Sequence, residues 1–326
     1  MLSIKNLKKR FNLEAGFFAK TGQYVYAVND VSFEVADNET YGLVGESGCG
    51  KSTTARLIVK MYEPDSGEII FNGQNVRKLS GRALKEYRER VKYIFQDPAK
   101  SLNPRMSIFE ILTCGLRYSK KWQGKQKARE LAGKILCEVG LTEADLDRRP
   151  SEFSGGQRQR ISIARALLME PEFLICDEVV SALDVSIQGQ ILNLLQEIRQ
   201  NRKLSMLFIT HDLKVSCYFC DRIGVMYNGV LMEEANAKDL YKIAKHPYTK
   251  LLFASVAGEK KSDTVLHNGE KLSKAQEVKI AKSTLTACPF VERCKKAKTS
   301  CSMEMPQLVQ IAPGHKVRCS ELQIND

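Results

Sequence analysis

The stretch Thr40-Tyr41-Gly42-Leu43-Val44-Gly45-Glu46-Ser47-Gly48-Cys49-Gly50-Lys51-Ser52-Thr53 decides how the rest of the chain is read. An apolar run, Thr40 to Val44, stops at a glycine, and a helical pattern begins at Ser52 and continues to Tyr62. Between them, Gly45 to Ser52 fits G-x-x-x-x-G-K-[ST], a phosphate-binding loop joining strand to helix. Glycines let backbone N–H groups curl round phosphate oxygens where a Cβ would obstruct them. The new helix turns its positive end toward the same anion. Lys51 adds a point charge for the β- and γ-phosphates, and Ser52 a hydroxyl ligand for Mg²⁺. By average residue frequencies the pattern arises by accident in roughly one chain of this length in a hundred, so its correct strand-to-helix setting makes it specific.

Working outward, Leu2 to Phe11 alternates as a strand and Val31 to Val35 reads as a second one, with a loop between at residues 12–24, which hold Gly16 and Gly22. Glu68 to Phe71 is a strand ending in the turn pair Asn72-Gly73. From about 100 to 168 the pattern turns helical, with stretches Ile108 to Tyr118, Gln126 to Val139 and Gly156 to Met169. Strands resume at Phe173 to Cys176 and Ser205 to Thr210, separated by a helix from Ile187 to Gln200. A last pair, Ile223 to Met226 and Val230 to Glu233, turns through Asn228-Gly229. The reading is an α/β cassette over 1–257 with an antiparallel β subdomain and a helical insertion. A polar, lysine-rich linker at 258–284 and a small cysteine-containing extension at 285–326 follow it.

Two further places carry chemistry. Phe173 to Glu178 is a buried strand ending in two acids: Asp177 is placed to hold Mg²⁺, and Glu178 to polarise an attacking water as general base. Ser154-Gly155-Gly156-Gln157 opens a helix and makes a second anion-binding N-terminus, suited to the nucleotide of another protomer.

With these motifs the chain resembles the ATPase subunit of an ABC transporter, whose signature is L-S-G-G-Q; here Phe153 holds the first position. The resemblance spans nearly the whole chain and implies a P-loop NTPase fold and ATP hydrolysis. It implies that Gln96 is the Q-loop residue that couples the γ-phosphate and Mg²⁺ to a membrane partner. Ser181-Ala182-Leu183-Asp184 matches the D-loop, and His211 the switch histidine. Phe11 stands where the family places its adenine-stacking aromatic, with Tyr24 or Tyr26 as the other candidates. Val179 departs from the proline that relatives often carry after the catalytic glutamate. The implied mechanism sandwiches two ATP molecules between two cassettes, each adding its signature to the other's nucleotide.

Phe95-Gln96-Asp97-Pro98, Ser101 to Arg105, His246-Pro247-Tyr248-Thr249 and Cys288-Pro289-Phe290 with Arg293-Cys294 resemble the oligopeptide/dipeptide/nickel importer branch. The Gly-Cys-Gly-Lys-Ser-Thr loop is similar to that of its second, F-type ATPase. That branch implies a second ABC ATPase as partner, two integral membrane permease subunits and, indirectly, an extracytoplasmic solute-binding protein.

The extension concentrates four of the ten cysteines, Cys288, Cys294, Cys301 and Cys319, with five, six and seventeen residues between them. Four thiolates suit Zn²⁺ or an iron–sulfur cluster, and buried thiols are the other reading. Some members of the branch carry a [4Fe–4S] cluster there. Cys217 and Cys220 read as a packed helix face, and His315 as a surface residue. The formal charge of +12 is scattered, with only a short cluster at Lys120 to Arg129, and no nucleic-acid motif accompanies it. No apolar run reaches the ~18 residues of a spanning helix, and no signal segment opens the chain, so the expected place is the cytoplasmic face of the cell membrane, as a peripheral subunit. The rival function is a soluble ABC ATPase acting on nucleic acid or ribosomes.

Overall fold

Strands open the chain, a run of helices interrupts it between Ile94 and Phe173, and strands and helices then resume. A computed structural model describes residues 1–12, 24–256 and 286–322. The strands are β1 (Leu2–Asn12), β2 (Tyr24–Val35), β3 (Thr40–Val44), β4 (Ser66–Phe71), β5 (Gln74–Asn75), β6 (Val91–Ile94), β7 (Phe173–Asp177), β8 (Ser205–Thr210), β9 (Arg222–Tyr227), β10 (Val230–Asn236), β11 (Val309–Ala312) and β12 (His315–Val317). The helices are α1 (Lys51–Ile58), α2 (Gly81–Arg90), α3 (Pro98–Ser101), α4 (Ile108–Thr113), α5 (Lys125–Glu138), α6 (Gly155–Leu167), α7 (Val185–Arg202), α8 (Leu213–Phe219), α9 (Ala237–Ile243), α10 (Pro247–Val256) and α11 (Thr299–Met303). The loop expected at 12–24 and the linker expected at 258–284 fall almost wholly outside the described residues.

The described chain forms two compact units. The first gathers Met1–Glu34, Tyr41–Arg77 and the segment from His211 onward. Its antiparallel sheet runs β2-β1-β4-β5, with Leu2 opposite Phe71 and Ile4 opposite Ile69. In its other sheet the strands run β11-β12-β10-β9-β3. There β3 pairs parallel with β9, while β9, β10, β12 and β11 pair antiparallel in turn. Two hairpins turn on Asn-Gly pairs with both residues at positive φ, Asn72-Gly73 (47° and 78°) and Asn228-Gly229 (41° and 80°). Only such residues make the tight turn that matches strand twist.

The second unit holds Val35–Thr40 and Lys78–Thr210. Its three parallel strands run β8-β7-β6, with Val91 opposite Phe173 and Phe173 opposite Ser205. Every residue of β7 and β8 is buried, as expected of parallel strands covered on both faces. The insertion is helical: α4, α5 and α6 pack on one another round Ile108, Leu112, Leu136, Ile161 and Leu167. The sequence reading did not include α2, the early start of β2 at Tyr24, the helices α9 and α10, or the β11–β12 hairpin. That hairpin hydrogen-bonds through β12 to β10, Glu233 opposite Val317, so the extension continues a sheet of the cassette.

Candidate functional site

The loop Gly45 to Lys51 is shaped by contacts that exclude side chains at two glycines. A Cβ on Gly45 would lie 2.1 Å from the Met226 carbonyl oxygen, and one on Gly50, at φ +105°, 2.0 Å from that of Ala27. Gly48, at φ +80°, faces open space. Ala27 of β2 thus runs against the loop, and the Gly229 amide donates to Cys49 O at 2.8 Å. The Lys51 ammonium is buried and donates to Gly45 O and Glu46 O, both at 2.8 Å, and approaches Cys49 Sγ at 3.8 Å. Burial pushes the Cys49 thiol up, against the opposing pull of Lys51. Ser52 and Thr53 lie in the first turn of α1, which Gly50 caps in a left-handed conformation.

Glu46 is held at three points. Its amide donates to the Tyr248 hydroxyl at 3.1 Å, its carbonyl accepts from Lys51, and its carboxylate takes both arms of the Arg293 guanidinium at 3.0 Å each. Arg293 also donates to the Tyr227 hydroxyl at 3.2 Å and lies over the Tyr227 and Phe290 rings at 5.5 and 5.6 Å. Burial alone would lower the Arg293 pKa, but its bonds to Glu46 and Tyr227 outweigh that and raise it. Sequence reading saw Arg293 only as part of a resembling run; a partner 247 residues away leaves no local signal.

The first unit also carries His211, exposed and directly after β8, followed by Asp212, whose carboxylate caps α8 by accepting from the Lys214 and Val215 amides. Phe11 closes β1 and packs edge-on against Tyr62 at 5.4 Å. Tyr24 opens β2 under the Arg10 guanidinium at 4.4 Å.

In the second unit, the tip of β7 sets Asp177 and Glu178 in different surroundings. Asp177 is buried and accepts from the Tyr93 hydroxyl of the neighbouring strand β6, a partner the sequence reading missed. Glu178 adopts a left-handed backbone at φ +50°, unfavourable for a side chain with a Cβ and commonest at functional sites. Its amide is tied to Ile209 O at 2.9 Å, its carbonyl accepts from Ser181, and its carboxylate accepts from Gln96 Nε2 at 2.6 Å. The structure therefore brings Gln96 and Glu178 together. Val179, in place of the family's usual proline, is buried.

The signature segment is closed by a capping box: Ser154 Oγ accepts from the Gln157 amide at 3.3 Å, and Gln157 Oε1 from the Ser154 amide at 2.9 Å. Phe153 is buried under the Arg148 guanidinium at 4.4 Å, which accounts for an aromatic ring where the signature has leucine. A Cβ on Gly156 would meet Ile187 Cγ2 at 2.7 Å, so glycine lets the start of α6 approach α7. Gly155 sits 3.7 Å from Leu183 by the same measure, and Asp184 precedes the first turn of α7.

Cys288, Cys294, Cys301 and Cys319 all line one cavity of about 10 Å³ beside Phe290 and His246. Burial pushes the Cys288 thiol up to about 11 and raises those of Cys294 and Cys319. That volume holds about one water. Among the described residues no group of three or more His, Cys, Asp or Glu is arranged to hold a metal ion. His315 is not at the surface: it is buried with its Nε2 at 2.7 Å from Glu233 Oε1, because β12 turns it inward beside β10. Cys220 is buried against Gly42, as a packed helix face predicts, and Cys217 is half-buried. Among the described residues no helix is long and apolar enough to cross a membrane.

Residues 28–181 match the family model described as ABC transporter. The chain is 41% identical to the oligopeptide transport ATP-binding protein AppF of Bacillus subtilis (strain 168), over 98% of this chain and 96% of that protein. The chain belongs to the ABC transporter family. The cassette is an ATPase of that family, and its residues 232–301 match the model for the oligopeptide/dipeptide transporter C-terminal region. OppF of the same bacterium, another oligopeptide transport ATP-binding protein, is 49% identical over 78% of the cassette chain and 82% of its own length. Among solved structures, the dimeric ATP-binding cassette MJ0796 bound to ADP and Pi matches with a TM-score of 0.64 at 27% identity, covering 73% of this chain and 99% of that one. The cassette cbiO1 from Clostridium perfringens matches with a TM-score of 0.64 at 26% identity, over 74% and 90%.

Proposed function

We propose that this chain is the ATP-hydrolysing subunit of an importer for oligopeptides, dipeptides or a related small solute. The observation that carries the reading is the union, on one chain, of an ABC transporter domain with an oligopeptide/dipeptide transporter C-terminal region. The names of AppF and OppF, both oligopeptide transport ATP-binding proteins, support the same solute class.

In the proposed cycle the backbone amides from Gly45 to Thr53 bind the phosphates of ATP. Lys51 exchanges the carbonyls of Gly45 and Glu46 for phosphate oxygens. Phe11 or Tyr24 stacks on the adenine. Glu178 accepts a proton from the attacking water, Gln96 orients that water through the carboxylate it already contacts, and His211 holds the γ-phosphate. Mg²⁺ is usually held by one or two carboxylates plus phosphate oxygens rather than by an all-protein cage, and Asp177, Ser52 and Gln96 are the residues that would supply its protein ligands. When bound, it neutralises charge that develops on the transferred phosphoryl group.

Ser154 to Gln157 of a second ABC ATPase, with Asp184 at the crossing, close over the same nucleotide. Closure from both faces places preorganised dipoles round the triphosphate, the arrangement that lowers such barriers most. The cassettes sit as peripheral subunits on the cytoplasmic face of the membrane, coupled through Gln96 to two permease subunits that receive solute from an extracytoplasmic binding protein. The proposed function involves no nucleic acid.

A mild-detergent pull-down of the tagged chain from native membranes tests the assembly. Two polytopic membrane proteins and a second ATPase are expected. Ribosomal proteins or nucleic acid without a membrane subunit would overturn the importer reading in favour of a soluble ABC ATPase.

A further inference from the structure

The C-terminal extension reaches the phosphate loop itself. Arg293 lies between Cys288 and Cys294 of the four-cysteine cavity and chelates the Glu46 carboxylate with two parallel bonds of 3.0 Å. Two parallel bonds from a planar guanidinium fix direction as well as distance, which a lysine cannot do. The guanidinium is itself held in place: Tyr227 accepts its third bond, and the Tyr227 and Phe290 rings cover its faces. Phe290 in turn packs against Tyr248 at 5.4 Å, and Tyr248 accepts from the Glu46 amide. One aromatic cluster therefore presents two groups to a single loop residue, one to its side chain and one to its backbone.

The third anchor of Glu46 differs from these two. Lys51 holds the carbonyls of Gly45 and Glu46, and the same ammonium is needed by the phosphates. Once it turns to a phosphate, the side chains that still hold Glu46 are those of Arg293 and Tyr248, beside one backbone bond within the loop, from the Cys49 amide to Glu46 O at 3.3 Å. A loop that keeps its shape when Lys51 moves loses less entropy on binding, and preorganisation of this kind appears as affinity.

The geometry points to Arg293 as a positioning residue for the phosphate loop: through Glu46 it holds the loop in its phosphate-binding shape, so that the cysteine-lined extension sets how tightly the cassette binds ATP. This rests on the reading of Gly45 to Thr53 as the ATP phosphate site. Arg293 touches no reacting atom, and its effect falls on binding rather than on turnover.

The test is a double-mutant cycle on the purified full-length chain, with MgATP affinity measured by equilibrium dialysis and folding checked by thermal unfolding. Arg293→Gln and Glu46→Gln should each weaken ATP binding about three- to tenfold, in the range of a partly buried, bidentate charge pair. The Arg293→Gln/Glu46→Gln double variant should bind no worse than the weaker single one, because both remove the same contact. Arg293→Lys should recover part of the loss. In the assembled transporter Arg293→Gln should raise KM for ATP while kcat stays within about twofold, since uniform binding is what is removed. If Arg293→Gln disturbs folding, Glu46→Gln still breaks the brace from the loop side and leaves the extension intact. Wild-type affinity in both single variants, or losses that multiply in the double variant, would overturn the inference. Lys51→Ala separates the two levels: it should bind ATP far more weakly whatever Arg293 does, and unchanged binding there would instead remove the phosphate-site reading.

Discussion

The phosphate loop and the cysteine-lined extension both bury a thiol, yet they are built in opposite ways. Around Cys49 short-range bonds supply the chemistry, with Lys51 reaching back to Gly45 and Glu46 and the Thr54 amide to Gly50 O, while distant groups such as the Gly229 amide press the loop into shape. Around Cys288 they are long-range. Arg293 reaches Glu46, β12 pairs with β10, and the buried Arg318 donates to Leu231 O, Pro306 O and Asp30. A loop whose phosphate-binding groups are consecutive residues carries its chemistry in a short motif, even where distant partners shape it. A module made by distant partners takes its meaning from what it touches.

The contrast is broken most severely inside the loop. Gly50→Ala sets a Cβ 2.0 Å from the Ala27 carbonyl on a backbone with φ +105°, so left-handed strain of about 1–2 kcal/mol adds to an overpacking term of similar size. A loss of roughly 3 kcal/mol in urea unfolding, with ATP binding abolished, is expected. Gly48→Ala, with open space round its Cβ, should lose only the backbone part, about 1 kcal/mol. Equal losses in the two variants would mean that packing against β2 does not shape the loop.

The extension side is sharpened by pH. His246 lies beside Phe290 at 5.9 Å, and burial holds its pKa down to about 4, from an ordinary value near 6.5. The folded state then binds fewer protons than the unfolded one between those values. Its contribution to stability is present above about pH 6.5 and is lost as pH falls toward 4. The gap is worth at most roughly 3 kcal/mol at 1.36 kcal/mol per pH unit. Urea unfolding at pH 7, 5.5 and 4.5 should show that loss, and His246→Gln should flatten it. An unchanged slope in the variant would place the acid sensitivity elsewhere.

Much of the cassette is legible in the sequence because its signals are local. Thr40–Val44 and Ser205–Thr210 are strands over the very spans their apolar runs indicate, and the Asn72-Gly73 and Asn228-Gly229 turns follow from residue type alone. Helices α5 and α6 begin and end within two residues of their periodic patterns, whereas α4 stops at Thr113 and a separate 3-10 turn, Leu116–Tyr118, completes its stretch. What escaped depends on tertiary partners. Tyr93 matters through Asp177, a contact across two strands 84 residues apart. The inward turn of His315 depends on β12 joining β10, and a three-residue strand gives no periodicity to read. The four cysteines do gather, but the cavity they enclose is a property of packing that their spacing does not encode.

The central claim, that this cassette hydrolyses ATP with Glu178 as the base, is tested most directly by Glu178→Gln in a steady-state phosphate-release assay paired with an ATP-binding measurement. The side chain keeps its size and its place beside Gln96 but cannot accept the proton. Turnover should fall about 100-fold or more, the usual scale for a lost general base, while ATP still binds and the closed dimer accumulates. Turnover within a few-fold of the wild type would contradict that role for Glu178.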